Sequence, residues 1–87
     1  MKTFDDIEWG KHGIPGALQG KLKLDNGLEL SVVAGEFMYC SPRENKLSLD
    51  EYKSFEVAIF SEHGSMLGDP DGWQDRDDVN RTIAKWS

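Results

Sequence analysis

The chain has 87 residues, 38% of them hydrophobic, 10% aromatic and 30% charged, with a formal net charge of −6. This is one domain, residues 1–87, too apolar and aromatic to stay disordered, and short enough to bury only roughly 60–65% of its unfolded surface. The longest unbroken apolar run is Val57-Ala58-Ile59-Phe60 and no signal pattern follows Met1, so neither a bilayer span nor export is expected and the cytoplasm of a bacterial host is the expected compartment.

Residues 3–20 begin with Thr3 as a cap and apolar Phe4, Ile7 and Trp9, and continue through Gly10, Gly13, Pro15, Gly16 and Gly20. That punctuation predicts a short turn of helix or strand followed by a loop. From Leu18 the apolar positions alternate: Leu18, Leu22 and Leu24, then Leu28, Leu30 and Val32 after Asp25-Asn26-Gly27. A two-residue turn would set Lys23 opposite Leu30. A three-residue loop with Gly27 left-handed sets Leu22 against Leu30 and Lys23 against Glu29, so every pair agrees, and this register is predicted. Ser48-Leu49-Asp50-Glu51 has the form of a capping box and predicts one helical turn. Phe55 to Phe60 is the strongest strand, with Phe55, Val57 and Ile59 on one face, and a central place in the sheet is expected. Glu62-His63-Gly64 predicts a tight turn into a shorter strand around Ser65-Met66-Leu67. Asp75 then caps a helix in which Val79, Ile83 and Trp86 form one apolar stripe, with Asp77 and Asp78 in the first turn where the dipole favours negative charge. The predicted fold class is α+β: an antiparallel meander of about four strands with a C-terminal helix on one face.

The chemistry is sparse. Cys40 is the single cysteine, which excludes an internal disulfide; Arg43 is close enough in sequence to activate a thiol, but a lone cysteine in an apolar segment reads first as a small buried hydrophobe. His12 and His63 bear no sequence relationship to it, and no enzyme is expected. Asp69-Pro70-Asp71-Gly72 begins like a calcium loop, yet Pro70 interrupts it and Arg81 and Lys85 follow, so no metal and no cofactor are expected. Gly10-Lys11-His12-Gly13-Ile14-Pro15-Gly16 has neither Walker spacing nor a helix after it.

Charge is unevenly placed. Residues 44–78 carry ten acids against three bases, a block that attracts basic partners and repels phosphates, so direct nucleic-acid binding is disfavoured. Within it Asp69, Asp71, Asp75, Asp77 and Asp78 surround Trp73. Two readings stand side by side: an acidic recognition face anchored by an exposed tryptophan, or a turn at Asp71-Gly72, a core Trp73 and aspartates that only cap a helix.

The order of Phe4-Asp5-Asp6-Ile7-Glu8-Trp9, Asp25-Asn26-Gly27 leading into Leu30-Ser31-Val32-Val33-Ala34-Gly35, Phe55 to Phe60, and a closing Asp77-Asp78-Val79 helix resembles a group of short, mostly uncharacterised proteins encoded by bacteriophages and prophages. The resemblance implies a viral accessory protein that binds a host component, with anti-CRISPR proteins as the best-studied class of this size and charge. The leading expectation is a non-enzymatic inhibitor that binds a host defence protein through its nucleic-acid site, using Asp69, Asp71, Trp73, Asp75, Asp77 and Asp78. The alternatives are a sponge for a signalling nucleotide, using Lys11, Tyr39 and Arg43, and a virion or assembly protein. Three tryptophans on so short a chain are compatible with a homodimer in each case.

Overall fold

The computed structural model describes residues 2–11, 13, 16–46 and 48–86. Alternation of apolar and polar residues builds a five-stranded antiparallel sheet whose spatial order follows the chain: β1 (Glu8–Lys11), β2 (Leu18–Lys23), β3 (Glu29–Ala34), β4 (Phe55–Phe60) and β5 (Asp71–Gln74). The hairpin between β2 and β3 has the three-residue loop, with Leu22 opposite Leu30, Lys23 opposite Glu29 and Gly27 at φ +90°. The helix α1 (Arg76–Trp86) packs on the face that carries Leu22, Leu30, Val32, Phe55, Val57 and Ile59, and contributes Val79 and Ile83, both fully buried.

The strand count of about four is corrected to five. The strand expected at residues 65–67 reduces to a bridge from Phe60 to Met66, flanked by bonds from the Ser61 N–H to the Ser65 carbonyl and from the Leu67 N–H to the Ile59 carbonyl. Gly68, at φ +77°, and Pro70, which has no N–H, interrupt pairing there, and it resumes as β5. At the other edge Trp9 lies opposite Gly20, whose missing side chain leaves room for the indole, and that makes a strand of a segment that glycine content marks as loop.

Both short caps form. Thr3 opens a 3-10 turn at Phe4–Asp6, where the Thr3 N–H donates to Asp6 Oδ2 at 2.8 Å. Ser48 opens another at Leu49–Glu51, where the Ser48 N–H donates to Glu51 Oε2 and the Asp50 N–H to Ser48 Oγ. The start of α1 is closed by reciprocal bonds: the Asp75 N–H donates to Asp78 Oδ2 and the Asp78 N–H to Asp75 Oδ1. Asp78 also pairs with Arg81. The Asp75 amide, and then Arg81, hold the Asp78 carboxyl below its usual range.

One side chain ties these turns to the sheet. The Arg76 guanidinium donates to the Tyr52 carbonyl at 3.0 Å and the Leu49 carbonyl at 3.2 Å, and its Cζ lies 5.2 Å from the centroid of Phe4 and 5.3 Å from that of Phe55. It makes no ion pair with a carboxylate among the described residues. Carbonyl oxygens and ring faces neutralise its charge, an arrangement that needs a planar, weakly hydrated cation. Phe4, Trp9, Tyr52 and Phe55 form one cluster at centroid separations of 5.3–6.3 Å, and Phe4 and Phe55 are its faces toward the guanidinium. The Phe4 N–H also donates to Asn80 Oδ1 on α1 at 2.7 Å, fixing the N-terminal turn to the helix.

Arg76→Lys keeps the charge but loses the fork and the stacking, and is expected to cost about 2 kcal/mol, a fall of roughly 8–16 °C in a thermal melt; an unchanged melt contradicts this role. Because the Asp78 carboxyl is held low, its contribution is present above the unfolded value near 3.8 and is lost as pH falls through the lower folded value. Wild type should therefore exceed Asp78→Asn in melting temperature at neutral pH, and the gap should close on acidification below that range.

Candidate functional site

The loop after β3, residues 35–43, is built on Cys40. Its Sγ accepts from the Gly35 N–H at 3.4 Å and lies 3.3 Å from both the Gly35 and Pro42 carbonyl oxygens, and the residue is 1% exposed. Burial pushes the Cys40 thiol up, against the opposing pull of the Gly35 backbone bond and the Arg43 charge. The thiol is a hinge pin of the loop and is withdrawn from solvent. With Met38 and Cys40 both facing in, the residue between them faces out: Tyr39 is half exposed. Arg43 is anchored by its Nε donating to the Met38 carbonyl, which sets the guanidinium 5.2 Å from the Tyr39 ring centroid.

β5 supplies the other half. Phe55 pairs with Gln74 and Val57 with Asp71, so two residues, Gly72 and Trp73, oppose the single Glu56 in a bulge. Trp73 there takes φ +52°, the left-handed region, the one non-glycine residue to do so among those described. Its N–H donates to the Tyr39 carbonyl at 2.8 Å, while the Tyr39 N–H donates to Glu56 at 3.4 Å. A Cβ on Gly72 would lie 2.6 Å from the Tyr39 Cβ, so only glycine lets the loop lie this close to β5. The result is an exposed aromatic pair, Tyr39 and Trp73 with centroids 5.1 Å apart, Trp73 55% and Tyr39 52% exposed, and Phe37 exposed beside them on the same loop.

Energetics separate this pair from the core. Holding an aromatic residue left-handed costs about 1–2 kcal/mol, and an exposed aromatic pair returns about 0.5–1.5 kcal/mol. The stacking roughly offsets the strain, and the part of the Trp73 side chain that stays exposed contributes nothing to the fold. Trp9 and Trp86, by contrast, pack against the core.

The five aspartates expected around Trp73 separate into three groups. Asp75 and Asp78 are committed to the helix cap. Asp69 and Asp71 border a groove of about 160 Å³ beneath residues 67–71, with Thr82, Lys85 and Trp86 on the helix side. Asp77 is exposed on the first turn of α1 and makes no ion pair among the described residues. Of the three residues expected to hold a nucleotide, Tyr39 and Arg43 meet, while Lys11 stands on β1, at the opposite edge of the sheet from β5. His12 lies outside the described residues, and His63 is exposed beside Glu62. The uncovered sheet face has a shallow depression of about 310 Å³ over Ser31 and Phe60, where Lys21 and Lys23 are balanced by Glu29 and Glu62. Among the described residues no three His, Cys, Asp or Glu side chains form a metal cage, and no helix is long and apolar enough to cross a membrane.

Comparison with protein families, characterised proteins and solved structures found no match to this chain. The contact of Trp73 with Tyr39 escapes sequence reasoning because the two lie far apart in the chain; the available signal is an aromatic beside glycine in a segment rich in turn residues.

Trp73→Gly, which removes both the strain and the stacking, is expected to melt within about 5 °C of wild type; a larger loss would make Trp73 a structural residue. Cys40 should resist alkylation in the native protein and react on unfolding, and rapid native labelling would contradict the buried-thiol loop.

Proposed function

We propose that this chain is a non-enzymatic protein-binding module whose contact centre is the Trp73–Tyr39 pair with Arg43. The observation that carries the reading is a half-exposed tryptophan held on left-handed backbone against an exposed tyrosine, since strained backbone clusters at functional sites. Tryptophan, tyrosine and arginine are the residues enriched at the energetic centres of protein interfaces, and all three stand together here. The surrounding charge favours a basic partner: the chain is six charges negative, and Asp71, Asp75 and Asp77 flank Trp73 in sequence. A phage-type inhibitor that occupies the basic nucleic-acid site of a host defence protein is the narrower form of this proposal, and it is supported by that charge and by the resemblance described above.

The test is capture from bacterial lysate with tagged wild type and tagged Trp73→Gly, washed at low and high salt. A protein held in stoichiometric amount by wild type, lost with Trp73→Gly and weakened by salt, is the expected result. Equal capture by the two would remove Trp73 from the function.

A further inference from the structure

The two edges of the sheet are finished differently. At β5 the register breaks opposite Glu56, and Trp73 takes a left-handed backbone whose N–H is held by the Tyr39 carbonyl. A bulge of this kind blocks pairing with a further strand. β1 has no such device: its register with β2 is unbroken, and Glu8, Gly10 and Lys11 are exposed. The β2–β3 hairpin settles which backbone groups of β1 are free. The Leu24 N–H donates to the Leu28 carbonyl, so the even-numbered residues of β2 bond toward β3 and the odd-numbered ones toward β1. Lys21 and Gln19 therefore exchange bonds with their register partners Glu8 and Gly10. That leaves the N–H and C=O of Trp9 and Lys11 pointing off the sheet, with no partner among the described residues.

Gly10 adds a second, independent observation. Its backbone is not left-handed and a Cβ there would meet nothing within 4 Å, so one chain alone gives no reason for glycine in this strand. Glycine inside a strand weakens it and marks the close approach of another backbone, which here no described part of the chain supplies. Charge separates the edges again. β1 is neutral, with Glu8 balancing Lys11, whereas residues 69–75 hold Asp69, Asp71 and Asp75 with no base among them, so two copies repel at β5 and not at β1. We propose that β1 is a self-pairing edge, through which two copies of the chain join antiparallel about a two-fold axis at Gly10 into one continuous sheet. Such an axis sets one residue opposite itself. With Gly10 there, the Cα atoms approach to about 4.5 Å in a non-hydrogen-bonded pair. Trp9 then faces the second copy's Lys11, and the two exchange both backbone bonds, which uses every free group of both strands. A lysine on an edge is ordinarily a guard, but this register sets its ammonium beside a half-buried indole as a cross-strand cation–π pair. Centring on Trp9 would set Lys11 against Ile7, whose N–H is already given to the Phe4 carbonyl, and centring on Lys11 would set the two lysines together. Trp73 stands at the opposite edge of each copy and stays open, so the dimer presents that surface twice.

The full chain is followed by sedimentation and by amide hydrogen exchange over a concentration series. Pairing over so short a strand makes a small interface. The expected result is a mass that passes from one chain to two as concentration rises, with the Trp9 and Lys11 amides gaining protection while those of Glu8 and Gly10 are protected throughout. Gly10→Glu sets like charges directly opposite each other at the axis and should remain monomeric at every concentration while melting like wild type, because the space at Gly10 is open. Gly10→Cys should form an intermolecular disulfide rapidly under mild oxidation, since its only other thiol is the buried Cys40, whereas Glu8→Cys, on the same face of the same strand, should not. A wild type that stays monomeric throughout, a dimer that survives Gly10→Glu, protection that appears at residues 71–74 instead, or equal crosslinking of the two cysteine variants overturns the assignment. Each of those outcomes leaves the reading of Trp73 as a contact residue in place.

Discussion

A single cation set against two aromatic rings organises this molecule. Arg76 begins the helix, yet its guanidinium reaches back to the carbonyls that close the turn before β4 and lies against Phe4 and Phe55. Small domains have little apolar area to spare, and here one charged residue substitutes for part of it. Its planar head lies against Phe4 and Phe55, and its donors reach the Tyr52 carbonyl and add a second bond to the Leu49 carbonyl, which already accepts from the Tyr52 N–H. Removing those donors takes the guanidinium from the Tyr52 carbonyl, and leaving an acceptor unpaired is the costlier side of any hydrogen-bond change.

The same arrangement explains how a site is displayed on so short a chain. With α1 pinned at its first residue, β5 is fixed on the edge of β4 just ahead of it. The bulge opposite Glu56 then turns Trp73 outward, where the backbone of Tyr39 receives it. The loop carrying Tyr39 is rigid for its own reasons, being folded around a buried thiol and bridged to Ser54 through Ser41. Two independently stiff segments therefore meet at Gly72. A preorganised aromatic surface of this kind loses little entropy when a partner covers it.

What could be read from the sequence is what depends on near neighbours. The register of the β2–β3 hairpin follows from matching Leu22 with Leu30 and Lys23 with Glu29, the box at Ser48 follows from residues three apart, and Thr3 is legible as the start of a turn. β5 was hidden because Asp71-Gly72-Trp73-Gln74 has turn composition and becomes a strand only through its pairing with β4. Arg76 was hidden for the same reason at longer range, since its ring partner Phe4 is 72 residues away. The candidate site was legible in pieces: Trp73 drew attention as a partner contact, and Tyr39 with Arg43 as a ligand contact. The fold joins these into one surface, detaches Lys11 from it, and commits Asp75 and Asp78 to a helix cap.

The account rests most heavily on Trp73 being turned to solvent by the fold while Trp9 and Trp86 are drawn into it. Incorporating 5-fluorotryptophan and recording the fluorine spectrum with a soluble gadolinium chelate measures this directly, with Trp73→Gly assigning its signal. The account predicts three resolved resonances, of which the Trp73 line is relaxed most strongly and Trp9 and Trp86 clearly less. A Trp73 line as protected as the other two would place that ring in the core and remove the surface on which the proposed function depends.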